Sequence, residues 1–124
     1  MTGRAAMPIV DITLIGEARL AETASAGLAQ AIEQALTAAE GSVWVTLTRR
    51  PTADYAENGS PPEPPPVFVR VLAGGDDPST RAAQARAIAG AVAATLSRPI
   101  ERVHVILEPD AAGRVYFGGR PDRG

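Results

Sequence analysis

The chain has no cysteine among its 124 residues. That excludes disulfides, a thiol nucleophile and a thiolate metal site, and makes a reducing compartment the default. It has one histidine, His104, so no site built on several imidazoles is available and no metal is expected. It has no basic excess: the net charge is −2, which argues against nucleic acid or an anionic membrane as partner. No apolar run reaches the ~18 residues of a membrane span. The first residues carry one arginine but no apolar core behind it, so they do not read as a signal peptide. Gly74 and Gly75 lack the lysine and the spacing of a phosphate loop, and no Ser/His/Asp signature is present. A soluble, cytoplasmic protein of one domain is the expectation.

What remains is a repeated pattern. Pro8 opens an apolar strand to Ile15, with Val10, Ile12 and Leu14 on one face. A proline at the first strand position costs no ladder bond. A helical period follows over 19–39, with Leu28, Ile32 and Leu36 as its stripe and Gly41 as its left-handed stop. A second strand is expected over 42–48, with Val43, Val45 and Leu47 inward. Residues 51–65 are polar and then proline-rich, which favours an extended, semi-rigid connector. Then Val67, Val69 and Val71 alternate as a third strand. Asp77 and Pro78 read as the cap and first position of a second helix with stripe Ile88, Val92 and Leu96. Val103, Val105 and Leu107 mark a fourth strand over 102–108. The helix stripes lie 60 positions apart, and so do the second and fourth strands; from Pro8 to Pro66 the offset is 58. The organisation is a leader (1–7), a single domain (8–119) of repeat one (8–50), connector (51–65) and repeat two (66–119), and a tail (120–124).

Each repeat is a βαβ unit with parallel strands and a right-handed crossover. Two units give an α+β fold: a four-stranded sheet with both helices on one face. The other face carries Ile9, Ile15, Phe68, Leu72 and Ile106 with nothing left in the chain to cover it, so self-association through that face is expected. The Gly-rich hairpin after the fourth strand, with Tyr116 and Phe117, reads as an arm for assembly.

The order of proline after methionine (Met7-Pro8-Ile9-Val10), two βαβ units, then Arg102 to Glu108 and the glycines Gly113, Gly118 and Gly119, resembles the tautomerase superfamily. That superfamily includes 4-oxalocrotonate tautomerase, 5-carboxymethyl-2-hydroxymuconate isomerase, malonate semialdehyde decarboxylase and macrophage migration inhibitory factor. The likeness runs from Pro8 to about Gly119, and the length matches the fused, two-unit members. It implies a cofactor-free homotrimer acting on a small keto or unsaturated carboxylic acid, with Pro8 as the base if Pro8 is the processed amino terminus. A secondary amine in an apolar pocket loses solvation of its charged form, so its pKa falls towards neutrality and it can both take and return a proton. Pro66, being internal, offers only an amide.

The arginines are less regular. Where the family carries an arginine in the second strand, this chain has Trp44 and, in repeat two, His104. At the family's other arginine position stands Ala18, next to Arg19, and repeat two has Asp76 and Asp77. The candidates for a carboxylate clamp are therefore Arg49, Arg50, Arg19 and Arg70, and Trp44 and Tyr55 are the candidate aromatic walls. Arg70, mid-strand, is also expected in an interface ion pair, and His104 as a hydrogen-bonded strand residue. Two other readings stand beside the enzyme: a tautomerase-fold trimer that binds or assembles without catalysis, and an unrelated ferredoxin-like sensing domain, which requires antiparallel pairing within each unit.

Overall fold

A computed structural model describes residues 8–16, 19–59, 63–74, 78–109 and 113–121. The leader, Ala18, Asp76, the expected cap Asp77 and the turn Ala111-Ala112 lie outside them. Strands β1 (Ile9–Ile15), β2 (Trp44–Arg50), β3 (Val67–Leu72) and β4 (Val103–Leu107) form one sheet in the order β2-β1-β3-β4. β1 pairs parallel with β2 and β3 with β4, while β1 and β3 join the units antiparallel. Parallel pairing inside each unit is the βαβ arrangement, and it rules out the ferredoxin-like alternative.

The inward alternation is as the sequence requires. Val10, Ile12, Leu14, Val67, Val69, Val71 and Val103 are buried with Leu28 and Ile32 of α1 (Ala24–Leu36) and Ile88 and Val92 of α2 (Pro78–Leu96) in one cluster. β-Branched side chains fit that half-buried pleated surface. Both helices end alike. Thr37 and Ser97 take left-handed backbone angles (φ 53° and 56°). The following amides, of Ala38 and Arg98, close on the carbonyls of Glu33 and Ala93 at 2.9 and 3.0 Å. This is the six-to-one bond of a Schellman ending. The helix stop is thus Thr37 and not Gly41, which turns the chain into β2 four residues on.

Several boundaries move from expectation. α1 begins at Ala24 rather than near residue 19. β2 runs two residues past Thr48 because Arg49 and Arg50 still pair with Leu14 and Ile15 of β1. The connector is no straight spacer: it makes a 3₁₀ turn at Thr52–Asp54 and bends at Glu63 and Pro64. The offset of the first strands also shifts. Ile9 pairs with Trp44 as Phe68 pairs with His104, so from Ile9 to Phe68 is 59 positions and from Trp44 to His104 is 60. Val67, not Pro66, holds the place of Pro8 in repeat two.

The outer sheet face is not the bare apolar surface expected. A polar band crosses its middle, where Asp11 stands opposite both Thr46 and Arg70. The Thr46 hydroxyl donates to Asp11 Oδ1, and Arg70 pairs with Glu108 at 3.1 Å. The chain also covers both ends of this face itself. The connector must cross from β2 to β3 past the end of β1, and it lays Tyr55 over Phe68 with ring centroids 5.8 Å apart. The segment after β4 returns to β2 and sets Phe117 edge-on against Trp44 at 5.3 Å. Ile15, at the end of β1 where the connector passes, is buried.

Candidate functional site

Pro8 sits at the head of β1, with its ring among the fully buried side chains. Its parity is that of Val10, so the ring belongs to the inner layer. Its carbonyl accepts the Trp44 amide at 3.0 Å, which fixes the strand start against β2. Trp44 is 45% exposed and points to the outer face, where its indole N–H donates to the Gly41 carbonyl at 3.2 Å and Phe117 meets its ring. That contact depends on the β5–β6 hairpin (Tyr116–Phe117 and Arg120–Pro121), turned by Gly118 and Gly119 at positive φ. Glycine is needed there because two consecutive left-handed residues are costly for any side chain with a Cβ.

Beside Ile9, the neighbour of Pro8, lies a cleft of about 220 Å³ lined by Ile9, Asp11, Arg70, Leu72, Glu108 and Arg114. Arg70 and Arg114 are its cations. Glu108 is its hub: the side chain meets Arg70, the backbone carbonyl accepts from Arg81 of α2 at 2.9 Å, and its amide donates to Val71 at 2.8 Å. Arg114 donates to the Pro109 carbonyl at 2.9 Å. Arg114 was missed by sequence reasoning because it falls in an irregular segment after β4 with no periodicity to place it.

The other sequence candidates lie elsewhere. Arg49 and Arg50 pair with Leu14 and Ile15, six and seven positions along β1 from Pro8, about 20 Å away at ~3.3 Å per residue. Arg19 lies at that same far end, in a groove with Arg98. Tyr55 is on the far half of the outer face with Phe68. Within one chain, therefore, Pro8 is brought together with Trp44 and lies nearest Arg70 among the proposed clamps; it is not brought together with Arg49, Arg50, Arg19 or Tyr55. Arg70 is exposed rather than buried, and its ion pair is with its own chain's Glu108.

The far end has its own polar set. Glu57 accepts from Tyr55 Oη at 2.6 Å and from Arg102 at 2.7 Å. These two donors hold its carboxyl below the ordinary carboxylate range, the Tyr55 bond first. The same bond holds the Tyr55 hydroxyl above its ordinary value, because ionisation would set two negative charges side by side. His104 packs its ring against Phe68 at 5.5 Å.

The chain contains no lysine; all twelve of its cations are arginine. With cysteine also absent, the amine able to serve as a neutral base or nucleophile is the one at the amino terminus. Among the described residues, no three acidic or histidine side chains are grouped to hold a metal ion, and no helix is long and apolar enough to cross a membrane.

No protein-family model and no curated protein sequence matches the chain. Solved structures do. An R7 fused 4-OT wild type asymmetric trimer is 19% identical with a TM-score of 0.76, covering 93% of this chain and 96% of that one. Pt0534 inactivated by 2-oxo-3-pentynoate is 24% identical with a TM-score of 0.73 over the same shares, 93% and 96%. MIF2 of Leishmania major is 22% identical with a TM-score of 0.71, covering 94% and 98%. Two parallel βαβ units joined antiparallel through their first strands, matched over 93–94% of the chain by these structures, give it the tautomerase-superfamily fold in its fused, two-unit form.

Proposed function

We propose that the chain is a cofactor-independent tautomerase acting on a small keto or unsaturated carboxylic acid, with Pro8 as its base when residue 8 is the amino terminus. The observation that supports this most is the pairing of place and chemistry: Pro8 heads the first strand of a tautomerase fold, its side chain fully buried, in a chain with no lysine to supply another neutral amine. Burial disfavours the charged amine and so favours the neutral form near pH 7. The imino nitrogen takes a proton from one atom of the enol or unsaturated acid and returns it to another, leaving the substrate isomerised and the proline unchanged.

Arg70 is the clamp the geometry favours within a chain, with Arg114 joining it at the cleft beside Ile9. A guanidinium there neutralises the substrate carboxylate and the charge that develops on the enolate. The Trp44–Phe117 pair lies on the outer face beside Ile9, the residue after the proline. Arg49 and Arg50 reach a proline only if it belongs to another copy. A homotrimer, as in the structures of fused 4-OT, provides such neighbours and buries the polar band of the outer face.

The test is ketonisation of phenylenolpyruvate by protein whose amino terminus has been set at Pro8. Activity that falls on Pro8→Ala, and less on Arg70→Gln, supports the assignment. No activity with a free Pro8 would sink it and favour the second reading, a trimer that binds or assembles without catalysis. Trp44 standing in the family's arginine position is the observation on the side of that reading.

A further inference from the structure

At the end of the sheet away from Pro8, a groove of about 510 Å³ runs between the start of α1 and the end of α2. Its lining includes Arg19, Leu20, Thr23, Thr95, Leu96 and Arg98. Arg19 is exposed and makes no hydrogen bond or ion pair among the described residues. Arg98 is held fast. Its Nη1 donates to the Pro65 carbonyl at 2.6 Å and its Nη2 to the Ile15 carbonyl at 2.9 Å.

Two carbonyls orient a guanidinium but do not neutralise it. Arg98 is partly buried, enough to make its cation less favourable than usual, and no carboxylate is paired with it among the described residues. A guanidinium has five N–H donors in a fixed fork, so donors remain after the two carbonyls are served. Thr23 precedes α1 without using its hydroxyl as a cap, which leaves that donor available as well. Arg19 and Arg98 are the charges of the groove among its described lining, and Leu20 and Leu96 give it an apolar floor.

We propose that this groove is a second anion site, separate from Pro8, which takes the carboxylate or phosphate group of a small organic anion on Arg19 and Arg98 with its apolar part over Leu20 and Leu96. The site goes beyond the tautomerase reading and does not depend on it. Because Arg98 also ties the end of β1 to the end of the connector, occupancy stiffens that junction, seven positions along β1 from the proline.

The experiment is a ¹⁵N NMR titration of the full chain with benzoate and, separately, inorganic phosphate, at ionic strength held constant with sodium chloride. The expected result is saturable shifts confined to the amides of residues 19–24 and 95–98. A tighter benzoate isotherm assigns the site to carboxylates, and a tighter phosphate isotherm to phosphates. Arg19→Gln, at an exposed position where folding is not at stake, weakens binding on the order of tenfold, as loss of a charge-assisted hydrogen bond should. Arg98→Lys, which keeps the charge but loses the fork, weakens it too. Pro8→Ala leaves the affinity unchanged. Shifts that never saturate, an isotherm unaltered in Arg19→Gln, or binding lost in Pro8→Ala would each overturn the proposal.

Discussion

The two βαβ units are built on one plan and finished differently. In each, an outward residue of the first strand pairs with an outward ring of the second: Ile9 with Trp44, and Phe68 with His104. In each, the segment trailing from the opposite unit lays an aromatic ring over that pair. Tyr55, following β2, covers the second unit, and Phe117, following β4, covers the first. Each helix ends on a left-handed hydroxyl residue, Thr37 and Ser97, 60 positions apart. What differs is the head of the strand. Unit one has Pro8 and an apolar aromatic edge; unit two has Val67 in that place, with Glu57, Arg102 and Tyr55 bonded among themselves nearby. One unit opens on a proline, and the other anchors the connector.

The largest expected asymmetry is chemical. With the amino terminus at residue 8, Pro8→Ala lowers kcat for phenylenolpyruvate by about 10²-fold or more, the usual worth of a positioned base. Pro66→Ala leaves it within a few fold. Equal losses would break the comparison. Core positions should instead respond in parallel, because both units contribute to one cluster. Ile32→Ala destabilises by about 2–5 kcal/mol, and its counterpart Val92→Ala, with less volume to lose, by somewhat less. Chemical denaturation would show both as shifts of midpoint with a single transition; two transitions would mean the units fold apart.

A smaller effect distinguishes the junction between the units. Gly16 has φ +110°, and a Cβ there would stand 3.3 Å from Arg98 and 3.4 Å from Pro65. Gly16→Ala should cost roughly 1–3 kcal/mol, detectable as a lowered Tm, while Ala at Gly27, which has open space around it, should be neutral or stabilising in its helix.

The mildest difference is in pH response. The folded-state value of Glu57 is depressed by its two donors, so its contribution is present above the ordinary carboxylate range and fades as pH falls through it. The folded-state value of Tyr55 is raised, so its share is present at neutral pH and fades only as pH rises beyond the ordinary phenol range. The connector is therefore held best between the two. Tyr55 ring signals should lose their shift dispersion as pH falls below the ordinary carboxylate range, and the Trp44–Phe117 contact, with no titrating group in it, should keep its own. Glu57→Gln removes the acid-side change. Dispersion that persists in the wild type at low pH would contradict this account of the connector.

Most of the fold was readable because period and burial agree: Val10, Ile12 and Leu14, and their counterparts Val67, Val69 and Val71, could face only one way. The offset was not. The 58-residue spacing of Pro8 and Pro66 suggested equivalence, but hydrogen-bond register decides, and it slips by one residue at the end of the proline-rich connector. The site was half legible. Pro8 could be picked out by its place at the head of a strand, whereas arginines carry no positional signal beyond neighbouring periodicity. Arg49 and Arg50 stand at the far end of β2, which in a parallel pair is a strand's length from the proline of the same chain. Arg114 and Phe117, in a segment without periodic pattern, reach the proline end only through the return of the tail across the sheet.

A reactive amine at the head of unit one can be read directly by mass. Protein with its terminus at Pro8 is treated with 2-oxo-3-pentynoate, an alkynyl ketone to which a neutral amine adds. The chain has neither cysteine nor lysine, so few competing nucleophiles exist, His104 foremost. One adduct per chain is expected at pH 7, located on residue 8 by fragmentation, with activity lost in proportion. An unmodified Pro8, or an adduct on His104 with Pro8 intact, would contradict it.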